Sequence, residues 1–80
     1  MGPVVAAPTR EEIQLLDATG VSAWAISIGI KPEHAAKLEA GEVDGRALLL
    51  VTRDDLTACG IPIGPSRIIM TALQPYVHPG

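Results

Sequence analysis

Apolar residues recur at helical spacing from residue 9 onward, interrupted at short intervals by capping residues, glycines and prolines. Thr9-Arg10-Glu11-Glu12 has the form of a capping box, with Thr9 as N-cap and Glu12 reaching back from the third helical position. Ile13, Leu15, Leu16 and Ala18 follow, so a short helix to about Ala18, closed by Gly20, is predicted. Val21, Trp24, Ala25 and Ile28 then form one apolar stripe, which Gly29 stops. Pro32 suits the first position of the next helix, where its missing N–H has no partner to lose; that helix carries Ala35 and Leu38 and ends near Gly41. Asp44 caps a very short helix through Leu50, and Thr52, followed by Asp54 and Asp55, caps another that Gly60 ends. Gly64-Pro65 opens the last helix, with Pro65 at its first position and Ile69, Met70, Leu73 and Val77 on one face; Pro75 is expected to end or kink it near Leu73-Gln74. Residues 1–8 show no periodicity and read as a disordered leader, and residues 78–80 as a tail. The run Leu48–Val51 has no partner strand, so it reads as a buried helix turn, and the chain as all-α with five or six short helices.

Composition narrows the function classes. At 80 residues the chain allows one small domain, and with 48% apolar and 19% charged residues it is not wholly disordered. There is no Phe, and Trp24 and Tyr76 are the only aromatics besides histidine, so the core is mostly aliphatic. The lone Cys59 excludes an intrachain disulfide framework and suits a reducing, intracellular and most simply cytoplasmic setting. A formal charge of −3 argues against nucleic-acid binding by counterion release. No run of 18 apolar residues is present to span a membrane, and the opening lacks the charged region of a signal peptide. Its Met-Gly-Pro start and Pro-Gly end suit a module of a longer protein. Mean hydropathy is +0.31, high for so short a chain, so apolar residues are expected on the surface, where a contiguous patch marks a contact site.

One set of residues carries a resemblance. Val21-x-x-Trp24, Ile28-Gly29-Ile30, Val43-Asp44-Gly45-x-Ala47-Leu48-Leu49-x-Val51-Thr52-x-x-Asp55-Leu56, Gly60-Ile61-x-x-Gly64 and Ile69-Met70 resemble a sterile alpha motif (SAM) domain over roughly residues 21–74. The segment from Asp44 to Leu56 is the specific part. His34 stands where the family usually has an aromatic, and Ser66 where it often has a basic residue. The resemblance implies a compact five-helix bundle, with the helix at 9–18 as an extra N-terminal extension of a domain spanning 9–77. It implies no catalysis and no cofactor. It also implies binding to a second copy or to another SAM domain, by a mid-loop surface on one partner and an end-helix surface on the other.

On that reading the mid-loop surface comprises Glu39, Glu42, Asp44, Ala47, Leu50, Asp54 and Asp55. Five acids are opposed there by Arg46 and Arg53, with Ala47 and Leu50 expected to face water while Leu48, Leu49 and Val51 point inward. An exposed leucine among acids makes a small apolar centre with a polar rim. The end-helix surface comprises Ile63, Pro65, Ser66, Arg67 and Ile68. There a helix N-terminus offers free N–H groups and Arg67 adds a fork suited to carboxylates, while Ile68 lies off the apolar stripe. Unlike, complementary patches on opposite sides of one molecule make a heterologous contact, which propagates into an open filament unless the rotation closes a ring. A module that docks a different partner without self-association is the alternative.

The remaining candidates read as structural. Trp24 is a core anchor, Cys59 a small buried hydrophobe without a histidine beside it, and His34 a partly exposed helix residue lacking companions for a metal. His78 falls in the tail. Asp54 and Asp55 are adjacent on a helix and do not face one another, so no acid–base pair is expected. Gly60-Ile61-Pro62-Ile63-Gly64 is similar to the hairpin of helix-hairpin-helix DNA-binding modules, but Lys31, Lys37, Arg46 and Arg53 are scattered among acids, so nucleic acid is a minor alternative.

Overall fold

The computed structural model describes residues 8–77, and among them there are six helices and no strand. These are α1 (Arg10–Gln14), α2 (Ala18–Ser27), α3 (Pro32–Ala40), α4 (Gly45–Leu48), α5 (Arg53–Ala58) and α6 (Ile63–Val77). The expected leader, Pro8 apart, and the tail with His78 lie outside the described residues.

Helix starts follow the capping chemistry. Thr9 and Glu12 form the expected box, with Thr9 N–H on Glu12 Oε1 at 2.8 Å and Glu12 N–H on Thr9 Oγ1 at 3.1 Å. Asp44 accepts from Ala47 N–H at 2.9 Å, and Thr52 and Asp55 form a second box. One cap escaped the sequence reading. Asp17 accepts from Gly20 N–H at 2.7 Å and starts α2 at Ala18, so α1 stops at Gln14 and Gly20 lies in the first turn of α2 rather than closing α1.

Helix ends repeat one device three times. At the ends of α2, α3 and α5 the N–H groups of Gly29, Glu42 and Gly60 reach back to Ile26, Glu39 and Thr57. Those of Ile30, Val43 and Ile61 reach back to Ala25, Leu38 and Leu56. This is the Schellman motif, and all six residues of the second set are buried, so each stop is also a core contact. A new helix begins two residues after each of Ile30, Val43 and Ile61, which sets the short turns of the bundle. The motif needs a left-handed residue. Glycine supplies it at Gly29 (φ 102°) and Gly60 (φ 88°), whereas Glu42 is forced to φ 57°. Left-handed backbone costs a residue with a Cβ about 1–2 kcal/mol, partly offset in a glycine variant by its greater unfolded-state entropy. Glu42→Gly is therefore expected to stabilise the fold by about 1 kcal/mol, raising Tm by about 4–8 °C in a thermal melt.

Two expectations for α6 are corrected. The helix opens at Ile63, so Pro65 is its third residue rather than its first; any position in the first turn tolerates a missing donor. Pro75 does not end it, because helix continues to Val77. Only one turn follows Ala72, and Tyr76 and Val77 pack on the core, with Tyr76 Oη donating to Pro8 O at 2.6 Å.

The core is aliphatic around Trp24, with Leu38, Leu48, Leu56, Ile69 and Leu73 sealed from water. Helices α2 and α3 share its most extensive helix pair. α1 belongs to the same core: Ile13 is fully buried. The chain just after α1 meets α4 so closely that Gly45 N–H donates to Leu16 O at 2.8 Å. A Cβ on Gly45 would stand 1.5 Å from Ile13 O, which explains the glycine after Asp44.

Candidate interaction surface

The α4–α5 link presents its leucines on two sides. Leu48 and Leu49 are buried and Val51 half-buried, while Leu50 is 80% exposed and Ala47 is exposed. Asp44, Asp55 and Glu39 each have a local partner as well as a charge. Asp44 caps α4, Asp55 caps α5, and Glu39 Oε2 accepts from Thr19 Oγ1 at 3.0 Å across to α2. Glu42 is exposed at its strained helix end.

The structure divides the expected mid-loop group. Leu50 lines a recess with Arg10, Leu49, Tyr76 and Val77, where α1, α4 and the end of α6 converge. Asp54 instead lines a recess with Arg53, Thr57, Pro62, Ile63 and Ser66, between α5 and α6. One acid of the first group, Asp54, thus stands beside Ile63 and Ser66 of the second, in a recess separate from that of Leu50.

The end-helix group is divided too, and Ser66 leaves it. Ser66 is 1% exposed, with its hydroxyl directed at Ile61 O at 3.3 Å, so it is a packing residue and offers nothing to a partner. Ile63 is 70% and Ile68 46% exposed, Arg67 is exposed, and Pro65 is half-buried. The helix N-terminus also has fewer donors than expected. Pro62 and Pro65 carry no N–H, and Ser66 N–H bonds Pro62 O at 3.0 Å, so the free amides of the opening turn are those of Ile63 and Gly64. Arg67, not a row of amides, is the main attraction for a carboxylate there.

Arg67 and Ile68 line a third recess, about 360 Å³, with Ile28, Thr71 and Ala72. The sequence reading missed those three residues. Ile68, Thr71 and Ala72 fall at i, i+3 and i+4, so the signal was a second, weaker stripe on α6 hidden behind the Ile69–Leu73 one.

Other sequence candidates resolve simply. Trp24 is buried and Cys59 is half-buried. His34 is half-buried, with Nδ1 enclosed and without a hydrogen-bond partner. Lys37 Nζ donates to Gly60 O at 2.8 Å, placing a cation at the carbonyl end of α5. The Gly60–Gly64 segment is a helix stop followed by a helix start. The N–H groups of Gly60 and Ile61 are bonded within α5, so they are not offered to phosphate. Among the described residues no group of three or more His, Cys, Asp or Glu is placed to hold a metal, and no helix is long and apolar enough to cross a membrane.

A family model for the SAM-like domain matches residues 2–74. The chain belongs to the SAM-like domain family. The match takes in α1, in keeping with the burial of Ile13. No curated protein and no solved structure matches the chain. SAM-like domains are in general protein-interaction modules rather than enzymes, and an all-helical bundle with exposed Leu50, Ile63 and Ile68 has the architecture for that role.

Proposed function

We propose that this SAM-like domain self-associates head to tail, the Ala47–Leu50 surface of one copy meeting the Arg67–Ile68 surface of the next, and so builds open helical polymers that scaffold a larger protein. The observation that carries the reading is Leu50, four-fifths exposed between a buried leucine and the acidic start of α5. Burying such a side chain against another apolar surface is worth about 1.5–3 kcal/mol. Arg67 beside Ile68 supplies the opposite charge and an apolar neighbour on a different part of the molecule. Because the two surfaces are unlike, each copy keeps one of each after a contact forms, and the chain of contacts has no built-in end. The free, half-buried thiol of Cys59 fits a reducing, cytoplasmic setting.

The test is molecular mass over a concentration series at low and high salt. Mass rising with concentration, and less steeply at high salt because the rim charges are screened, is the expected result. A mass fixed at one chain throughout contradicts self-association and leaves docking to a different partner, the second reading, which the same two surfaces also serve.

A further inference from the structure

The hydrogen bond from Tyr76 Oη to Pro8 O, at 2.6 Å, joins residues 68 apart and pins the start of the described chain to the end of α6. Tyr76 also lines the recess that holds Leu50, together with Arg10, Leu49 and Val77. Residues 1–7 are thus tethered beside that recess. We infer that they double back as a strap, seating Val4 and Val5 in the recess and covering Leu50, so that the leader competes with a partner for that side chain. The seating stands by itself, whereas the competition rests on the proposal that Leu50 is a contact residue.

Reach, chemistry and family pattern favour this occupant over a foreign one. Val5 and Val4 lie three and four residues before Pro8, about 10–14 Å of extended chain. A residue before proline, as Ala7 is, favours extended backbone. Residues 1–7, Met-Gly-Pro-Val-Val-Ala-Ala, contain no charged side chain. Of the described residues that line the recess only Arg10 is charged, and Leu49, Leu50 and Val77 are aliphatic. The two valines meet apolar walls there. The strap's backbone carbonyls, in excess because Pro3 has no N–H, suit the guanidinium donors of Arg10. The SAM-like match begins at residue 2, so the leader belongs to the matched length although α1 opens only at Arg10. Tethering at Pro8 makes the docking intramolecular, with an effective concentration on the order of millimolar that an untethered partner has to exceed. Ordering the few residues before Pro8 offsets much of what burying two valines gains, so the strap stays displaceable.

The experiment uses the full chain and its double variant Val4→Ser with Val5→Ser, which removes the apolar side chains without adding charge. Methyl NMR, at a dilution where each chain is a single copy, tests the seating. Nuclear Overhauser contacts are expected from the Val4 and Val5 methyls to those of Leu50 and Val77. The double substitution is expected to shift the Leu50 and Val77 signals and to leave those of Ile28 and Ile68, in the α2–α6 recess, in place. Absence of those contacts, or Leu50 and Val77 signals that do not move, overturns the strap. Sedimentation of the same two chains tests the competition. Uncovering Leu50 is expected to lower the concentration at which mass rises, by about tenfold for a strap closed about nine-tenths of the time. An unchanged or higher concentration overturns the competition. Mass fixed at one chain in both samples overturns the head-to-tail reading instead, and the NMR contacts still decide the strap.

Discussion

Leu50→Asp is expected to dissolve the assemblies into single folded chains. Leu50 is 80% exposed in the isolated domain, so the substitution removes almost no contact from the fold and should leave helicity and Tm near their starting values. At the proposed contact it removes about 1.5–3 kcal/mol of apolar burial and sets a further carboxylate among the acids of the same link. Every 1.4 kcal/mol is tenfold, so association weakens by roughly a hundredfold. Ala47→Asp on the same surface and Arg67→Glu on the other act in the same direction, since Ala47 and Arg67 are exposed and each belongs to one side of the contact. Ser66→Glu is different in kind: it would force a carboxylate into a position 1% exposed and damage α6 itself, so a loss of assembly there would report unfolding. Sedimentation velocity with circular dichroism on the same samples separates these outcomes.

Gly45→Ala is expected to be the most damaging small substitution. The added methyl would lie 1.5 Å from the carbonyl oxygen of Ile13, a backbone atom that moves only if the chain after α1 moves with it. That movement would break the bond from Gly45 N–H to Leu16 O and loosen Ile13 from the core. Overpacking of this kind costs about 1–3 kcal/mol and occasionally more, and with backbone on the opposing side the cost is placed at about 3 kcal/mol, a large fraction of the stability of so small a domain. Urea unfolding measures it. A change below about 0.5 kcal/mol would mean that α1 is not held against α4 as described.

Most of the fold was legible because its punctuation is chemical. Thr9, Asp44 and Thr52 mark helix starts by the hydrogen bonds that their side chains make, and Gly29 and Gly60 mark stops by a backbone conformation that glycine adopts freely. Prolines were harder, because a missing N–H is harmless anywhere in a first turn. Pro65 therefore did not locate the start of α6, and Ser66, three and seven residues before Ile69 and Leu73, lies on the same buried face as that apolar stripe, which its polar side chain concealed. The third Schellman stop was hidden because Glu42 carries no glycine signature, and Asp17 was passed over in favour of the later apolar stripe. Of the candidate surface, the exposure of Ala47 and Leu50 was anticipated from the family resemblance, and that of Ile68 from its place off the apolar stripe of α6. The recesses were not, since they arise where separate helices meet and no local pattern records that.

The most direct test mixes two variants that each lack one surface. Leu50→Asp keeps the Arg67–Ile68 surface and Arg67→Glu keeps Leu50, so each alone should sediment as a single chain of 8.3 kDa. Combined in equal amounts at low salt, they should give a discrete species of twice that mass and nothing larger, because a single good pair of surfaces remains. A mixture that stays monomeric, or either variant still forming large assemblies by itself, would contradict head-to-tail association through these surfaces.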